Sequence, residues 1–375
     1  MTRRRSAWPS RARTSPSPPS SAGSSTSPCP SRTSPSSSRS RGWPAGGEIW
    51  TTTSCSASRR KRPGSRSARR ESTPSGRPAS SRPTPTPDTV TSALESLVDL
   101  LDLEPIEVNI FRGRSPDEKR QRVFGGQVAE QALVAAGRTV SAGTVHSLHA
   151  YFLRPGDPAI PILYEVDRIR DGRSFTTRRV VAIQHGRAIF NLSASFHVRE
   201  AGFDHQLPMP PVPEPEALPT FAERMAPWRE RLGDWYTRPR PIDTRHVDPP
   251  SQDRSLGPRP PRQRVWMRAD GRLPDDSLLH ACVVAYAADM TLLDSVLLPH
   301  GVSWDDGVAM MASLDHVMWF HRPFRADEWL LYDQESPSAA GGLGLARGTI
   351  FTRAGALVVS VVQEGLVRPG SAPPR

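Results

Sequence analysis

The chain has 375 residues, 36% of them hydrophobic, and a formal net charge of +11. That length admits two ordinary domains or one large one. The charge is uneven: residues 1–88 carry 17 Lys+Arg and 3 Asp+Glu, whereas the remaining 287 carry 32 and 35. The part able to fold is therefore slightly acidic, which removes the argument for a nucleic-acid partner. The three cysteines give neither a disulfide framework nor a thiolate metal site, since Cys29 and Cys55 lie in the basic segment and Cys282 stands alone among apolar residues. That usage fits a reducing, cytoplasmic compartment. No apolar run approaches the ~18 residues of a membrane span, so no membrane partner is expected.

Residues 1–88 contain 24 Ser, 14 Pro and 16 Arg. Such a stretch cannot bury enough apolar surface to offset its ordering entropy, and disorder is expected. Richness in Arg and Ser would suit a transit peptide or a basic arm. The mixture has no pattern, however, and reads best as an upstream extension of the coding frame, with a start near Val90.

From residue 89 the periodicity changes. Val90–Leu103 spaces its leucines as a short amphipathic helix, and Ile106–Phe111 alternates as a strand. The run Val123–Gly137 predicts a buried helix, opened by Gly125 and Gly126 and stopped at Gly137. Strands are predicted over Val145–Phe152, Ile162–Arg170, Phe175–His185 and Arg187–Val198. Residues 201–261, rich in proline, read as a linker. The pattern then recurs, with a strand at Val265–Ala269, an apolar helix over Leu278–Leu298, and strands at Met310–Phe320, Trp329–Glu335, Gly344–Thr352 and Ala356–Val367.

This is an internal duplication. Ser147-Leu148-His149 matches Ser313-Leu314-Asp315, and Arg154-Pro155 matches Arg322-Pro323. The expected division is a first repeat over 89–200 and a second over 262–375. Each is one buried helix followed by an antiparallel meander, an α+β arrangement.

Several stretches agree in order and spacing with one family. They are Val123-Phe-Gly-Gly-Gln127, His146-Ser-Leu-His-Ala-Tyr-Phe-Leu-Arg-Pro-Gly156 and Arg170-Asp-Gly-Arg-Ser-Phe175 in the first half. In the second they are Val265-Trp-Met-Arg-Ala269, Ser313-Leu-Asp-His-Val-Met-Trp-Phe-His-Arg-Pro-Phe324 and Val362-Gln-Glu-Gly365. On these residues the chain, from about residue 90 onward, resembles the type II acyl-CoA thioesterases, both the bacterial thioesterase II enzymes and their peroxisomal relatives. The resemblance implies a double hot-dog fold, hydrolysis of acyl-CoA without a cofactor, and a homo-oligomer. It places the family's Asp, Thr or Ser, and Gln on Asp289, Ser313 and Gln363.

Read bottom-up, each of the three also has a plain structural explanation. Asp289 ends an apolar helix face shared with Tyr286 and Cys282, where a carboxylate is costly unless bonded. Ser313 opens an apolar strand. Gln363, within Val358–Glu364, needs partners for both ends of its amide. Together they could hold one water beside a thioester. Gly125 and Gly126 could offer backbone N–H groups to a carbonyl oxygen or simply allow close packing. His316 and His321 read as structural or substrate-lining, with odd–even alternation placing His321 on the face of Ser313. No Gly-x-Ser-x-Gly elbow occurs in residues 90–375, and no metal-ligand spacing or nucleotide motif is seen. A hot-dog enoyl-CoA hydratase and a non-catalytic acyl-CoA binding protein remain the alternatives.

Overall fold

Apolar spacing accounts for the two long helices around which the rest of the chain folds. The computed structural model describes residues 91–116, 121–306 and 309–369; the Ser/Pro/Arg-rich segment 1–88 lies outside them. In chain order, α1 (Ala93–Leu101) is followed by β1 (Glu104–Glu107), β2 (Ile110–Gly113) and α2 (Gly125–Gly137). A meander comes next: β3 (Thr144–Phe152), β4 (Ile162–Asp171), β5 (Phe175–Gln184) and β6 (Arg187–His197). Three short helices, α3 (Phe221–Met225), α4 (Arg229–Leu232) and α5 (Asp234–Thr237), lead into β7 (Ile242–His246) and β8 (Arg262–Ala269). Helix α6 (Ser277–Ala288) and the single turn α7 (Asp294–Leu297) precede β9 (Ala309–Ser313) and β10 (Asp315–Phe320). The last three strands are β11 (Leu330–Ala340), β12 (Leu343–Thr352) and β13 (Leu357–Pro369).

Local chemistry explains the helix starts. Ser92 and Glu95 form a capping box on α1, which buries Leu94, Leu97 and Leu101. The Asp276 carboxylate accepts the N–H groups of Leu278 and Leu279 at the start of α6. Helix α2 has no exposed side; every residue from Gly126 to Ala136 is buried, the polar Gln127, Glu130 and Gln131 included, as a helix wrapped by a sheet requires. Among the described residues no helix is long and apolar enough to cross a membrane.

All strands pair antiparallel in one sheet of order β1-β2-β4-β5-β6-β3-β10-β13-β12-β11-β8-β7, with β9 also on β13. Outward from the β3–β10 junction, where Val317 faces His149, the halves have one plan: β3-β6-β5-β4-β2-β1 and β10-β13-β12-β11-β8-β7. Each half wraps its own helix, and the helices pack antiparallel. Gly126, at the start of α2, sits under the Tyr286 carbonyl near the end of α6, while Gly137 meets Leu278 at the other end. This is the α+β double hot-dog.

Three readings change. The proline-rich segment 201–261 is more than a linker: its strand β7 is the counterpart of β1, so the second repeat begins near Ile242. Its preceding stretch lays Met209, Val212 and Leu218 on Trp266, Trp329 and Phe351, with Trp266 Nε1 donating to the Pro213 carbonyl at 3.0 Å. A segment without periodicity gave no hint of that surface. The helix expected over Leu278–Leu298 stops at Asp289, because residues beyond it are held elsewhere. Gln263 Nε2 donates to the Thr291 carbonyl (2.6 Å), and Gln334 Nε2 to its hydroxyl (2.8 Å). The strand Met310–Phe320 is interrupted at Leu314, with consequences for the site.

Candidate active site

Asp289 is the C-cap of α6, so its side chain leaves the helix where backbone carbonyls lose their intrahelical partners. Its Oδ1 accepts from Gln363 Nε2 at 2.6 Å and from the Ser313 hydroxyl at 3.1 Å, and Gln363 Nε2 also reaches Ser313 Oγ at 2.8 Å. The backbone N–H of Gly126 favours the charged form of the same carboxylate. Oδ2 lies over Gly125, where a Cβ would come within 2.8 Å of it. The structure thus brings together Asp289, Ser313, Gln363, Gly125 and Gly126 from two helices and two strands. Gln363 is fully buried, whereas Asp289 and Ser313 are half-buried.

Burial raises the carboxyl pKa of Asp289 above its ordinary value, and the opposing influences of His316, Gln363, Ser313 and the Gly126 N–H only partly offset it. His316 moves the other way. Its fully buried ring is pushed below the usual imidazole range by desolvation, against the pull of Asp289 and Gln363. Neither of its ring nitrogens has an aligned hydrogen-bond partner, so it tunes the site from behind.

A β-bulge decides which histidine this is. Ser313 pairs with Gly365, but Val317 pairs with Val362, a register step of one residue at Leu314. The Asp315 carboxylate takes up the slack by accepting the Glu364 N–H at 2.6 Å. Alternation restarts after the bulge, which turns His316 inward with Met318 and Phe320. His321, expected on the face of Ser313, is on the opposite face, bonded to Ser360 Oγ at 2.9 Å. It does not line the site. Trp319 is likewise outward, edge-on to His149, while Phe320 stacks with Phe324 and belongs to the core.

The first repeat carries the same bulge: Val145 pairs with Phe196 and Ser147 with Ser195. The counterpart of Ser313 is therefore Val145, not Ser147. Arg178 pairs with Ala194 as Ala346 pairs with Gln363, so Ala194 stands in the place of Gln363. The C-cap of α2 is Arg138 where α6 has Asp289. The three counterpart positions, Arg138, Val145 and Ala194, thus carry no acid, hydroxyl or amide. Fully buried Arg178 fills the region, donating to the Thr139 hydroxyl (2.7 Å) and carbonyl (2.9 Å) and to Asp171.

Two cavities meet at Ser313. One, of about 390 Å³, runs under α3–α5 and is lined by Asp289, Met290, Phe221, Trp235 and Trp304. The other, of about 300 Å³, runs between Phe152, Ile189 and Phe190 toward Arg122 and Arg154. Sequence reasoning missed the α3–α5 wall, since its one-turn helices have no periodicity to detect. The supporting pair Gln263 and Gln334 left no such trace either, since each is flanked by charged residues, Arg262 and Arg264 in β8 and Asp333 and Glu335 in β11.

Known proteins are similar to this chain. The family profile described as "Acyl-CoA thioesterase" matches residues 241–366, and "Acyl-CoA thioesterase N-terminal domain" matches residues 115–197. Acyl-coenzyme A thioesterase 8 of Rattus norvegicus is 43% identical over 291 residues, covering 72% of this chain and 88% of that protein. Acyl-CoA thioesterase 2 of Haemophilus influenzae is 40% identical over 285 residues, covering 73% and 98%. In the crystal structure of an acyl-CoA thioesterase II, TesB2, from Mycobacterium marinum, identity is 47% with a TM-score of 0.61, covering 73% of this chain and 99% of that one. The first match starts at the strand that opens the second repeat, and these relatives are covered almost whole. The chain belongs to the type II acyl-CoA thioesterase family.

Proposed function

We propose that the protein hydrolyses acyl-CoA to a free acid and CoA, with Asp289 as general base and no acyl-enzyme. The observation that carries this is the division of labour on one carboxylate. Oδ1 is held by Gln363 and Ser313, while Oδ2 is turned to the cavity and the start of α2. A water accepted by Oδ2 attacks the thioester carbon as its proton passes to Asp289. The C–S bond breaks from the tetrahedral intermediate, and the proton returns to the departing thiolate. The α2 N-terminus at Gly125 supplies positive potential for the developing oxyanion. Ser313 is fixed as a donor to Asp289, which leaves its oxygen to orient the water and not to act as nucleophile. The same reading carries a cytoplasmic location and a homo-oligomeric state, to be checked by fractionation and light scattering.

One observation favours a second reading. His316 acts on Asp289, and an Asp/His pair is what an enoyl-CoA hydratase needs. His316 is fully buried, however, and cannot reach a substrate carbon. Thiol release from a saturated acyl-CoA, followed with a thiol reagent, tests the thioesterase; enoyl absorbance lost without thiol release would sink it. Asp289→Asn should lower thiol release by about 10²–10⁴-fold, the usual contribution of a positioned base. A rate equal to wild type would remove Asp289 from the mechanism.

A further inference from the structure

The two cavities that share Ser313 differ in chemistry, and the difference orients a thioester. The larger is walled by Phe221, Met225, Trp235, Met290, Leu293 and Trp304, side chains that gain from burying alkyl groups. Its aromatic wall is held by specific contacts. The Arg240 guanidinium lies 3.5 Å from the Phe221 ring centroid and 4.2 Å from that of Trp235, and donates to the Trp235 carbonyl at 2.9 Å. Trp235 meets Trp304 edge-on at 4.9 Å. Arg231 ties α4 to Asp305 (2.5 Å) and to the Gln252 carbonyl (2.8 Å), so this wall is clamped at its base. Thr244, His246, Gln252 and Asp294 also line the cavity, polar side chains that a terminal methyl does not satisfy. The smaller cavity opens past Leu153 to Arg122 and Arg154, both exposed, a cationic mouth suited to phosphates.

Resting on the thioesterase reading, we propose that the acyl chain enters the aromatic cavity and the pantetheine arm the arginine-mouthed one. Trp235 and Trp304 then set the longest chain the enzyme favours. Each methylene seated against the apolar wall raises kcat/KM by about fourfold, and the gain ends where the chain meets the two tryptophans. Trp235 of the inter-repeat segment and Trp304 of the second repeat therefore act together on specificity for chemistry carried out by side chains of the second repeat.

The test is the kcat/KM of the full-length protein on saturated acyl-CoAs from butanoyl to octadecanoyl. In Trp304→Ala and Trp235→Ala the maximum should move to longer chains, with the octadecanoyl-to-butanoyl ratio rising about tenfold or more. Leu153→Trp, which narrows the other cavity, should raise KM at every chain length without moving the maximum. Near-ultraviolet circular dichroism checks folding, and either tryptophan variant alone suffices. A maximum unmoved in the tryptophan variants, or moved by Leu153→Trp, overturns the assignment while thiol release by wild type still stands. A wild type that releases no thiol from any of these substrates overturns the thioesterase reading and this one with it.

Discussion

The backbone N–H of Gly126, from the first repeat, lowers the pKa of the Asp289 carboxylate, from the second. The repeat that lost its own polar set therefore still closes the site of its partner. A Cβ on Gly126 would lie 2.8 Å from the Tyr286 carbonyl, so the glycine is what lets α2 and α6 approach. Gly126→Ala should cost about 1–3 kcal/mol through overpacking and slow thiol release by loosening Asp289. Thermal melts and initial rates measured together decide it; an unchanged melting temperature would show that the crossing has slack.

The acidity of the site carries a second prediction. Asp289 must be ionised to act as base, and burial raises its pKa above the ordinary 3.8. Activity should fall as pH drops through that raised value, at a higher pH than an exposed aspartate would give. The bond from Gln363 lowers the Asp289 pKa, so Gln363→Leu should move the acidic limb of kcat/KM to higher pH. A limb that stays put in this variant would mean that Gln363 does not act through Asp289.

Glu130 is a liability in the core. It is fully buried on α2, neither carboxylate oxygen has a partner, and burial raises its pKa well above the ordinary value. An acid with a raised folded-state pKa favours the folded state most below its unfolded value of about 4.3 and loses that advantage as pH rises. Glu130→Met should therefore stabilise the protein by about 1–3 kcal/mol at alkaline pH and by less in acid. Melting temperatures across pH test this, and a variant that melts lower at every pH would point to a partner for Glu130.

Arg178 occupies the degenerate half. Its removal leaves the carbonyls of Thr139 and Arg170 without donors and opens space beside Ala194. Arg178→Ala should lower stability by about 2–4 kcal/mol, since it leaves two backbone carbonyls unpaired and a void behind. The pH dependence of thiol release should not change. Chemical denaturation and the rate profile check the two halves of this expectation, and a shifted acidic limb would contradict the separation of the two regions.

Much of the fold was legible because it depends on short-range pattern. The buried run through α2, the leucine spacing of α1 and the alternation of β3 to β6 each follow from spacing that a single strand or helix must satisfy. Asp289, Ser313 and Gln363 were singled out by the resemblance to the family; taken one at a time, each is a polar residue in an apolar run with a structural explanation of its own. Their partners carry no such signal: nothing local ties Gly126 to Asp289, or marks Gln263 and Gln334 as the anchors of Thr291.

What the sequence alone determined is the duplication, the class of fold and the identity of the polar residues embedded in apolar elements, since all three reside in periodicity and composition. Tertiary structure decided the rest. The bulge at Leu314 sends His316 inward and His321 outward, because one residue inserted in a strand exchanges its faces. The same bulge in the first repeat aligns Val145, not Ser147, with Ser313. The α3–α5 wall exists only because a segment without periodicity is pinned by distant groups, the Arg231–Asp305 pair and the Arg240 stack among them. Pairwise contacts between residues far apart in the chain leave no trace in local spacing, and the site is made of such contacts.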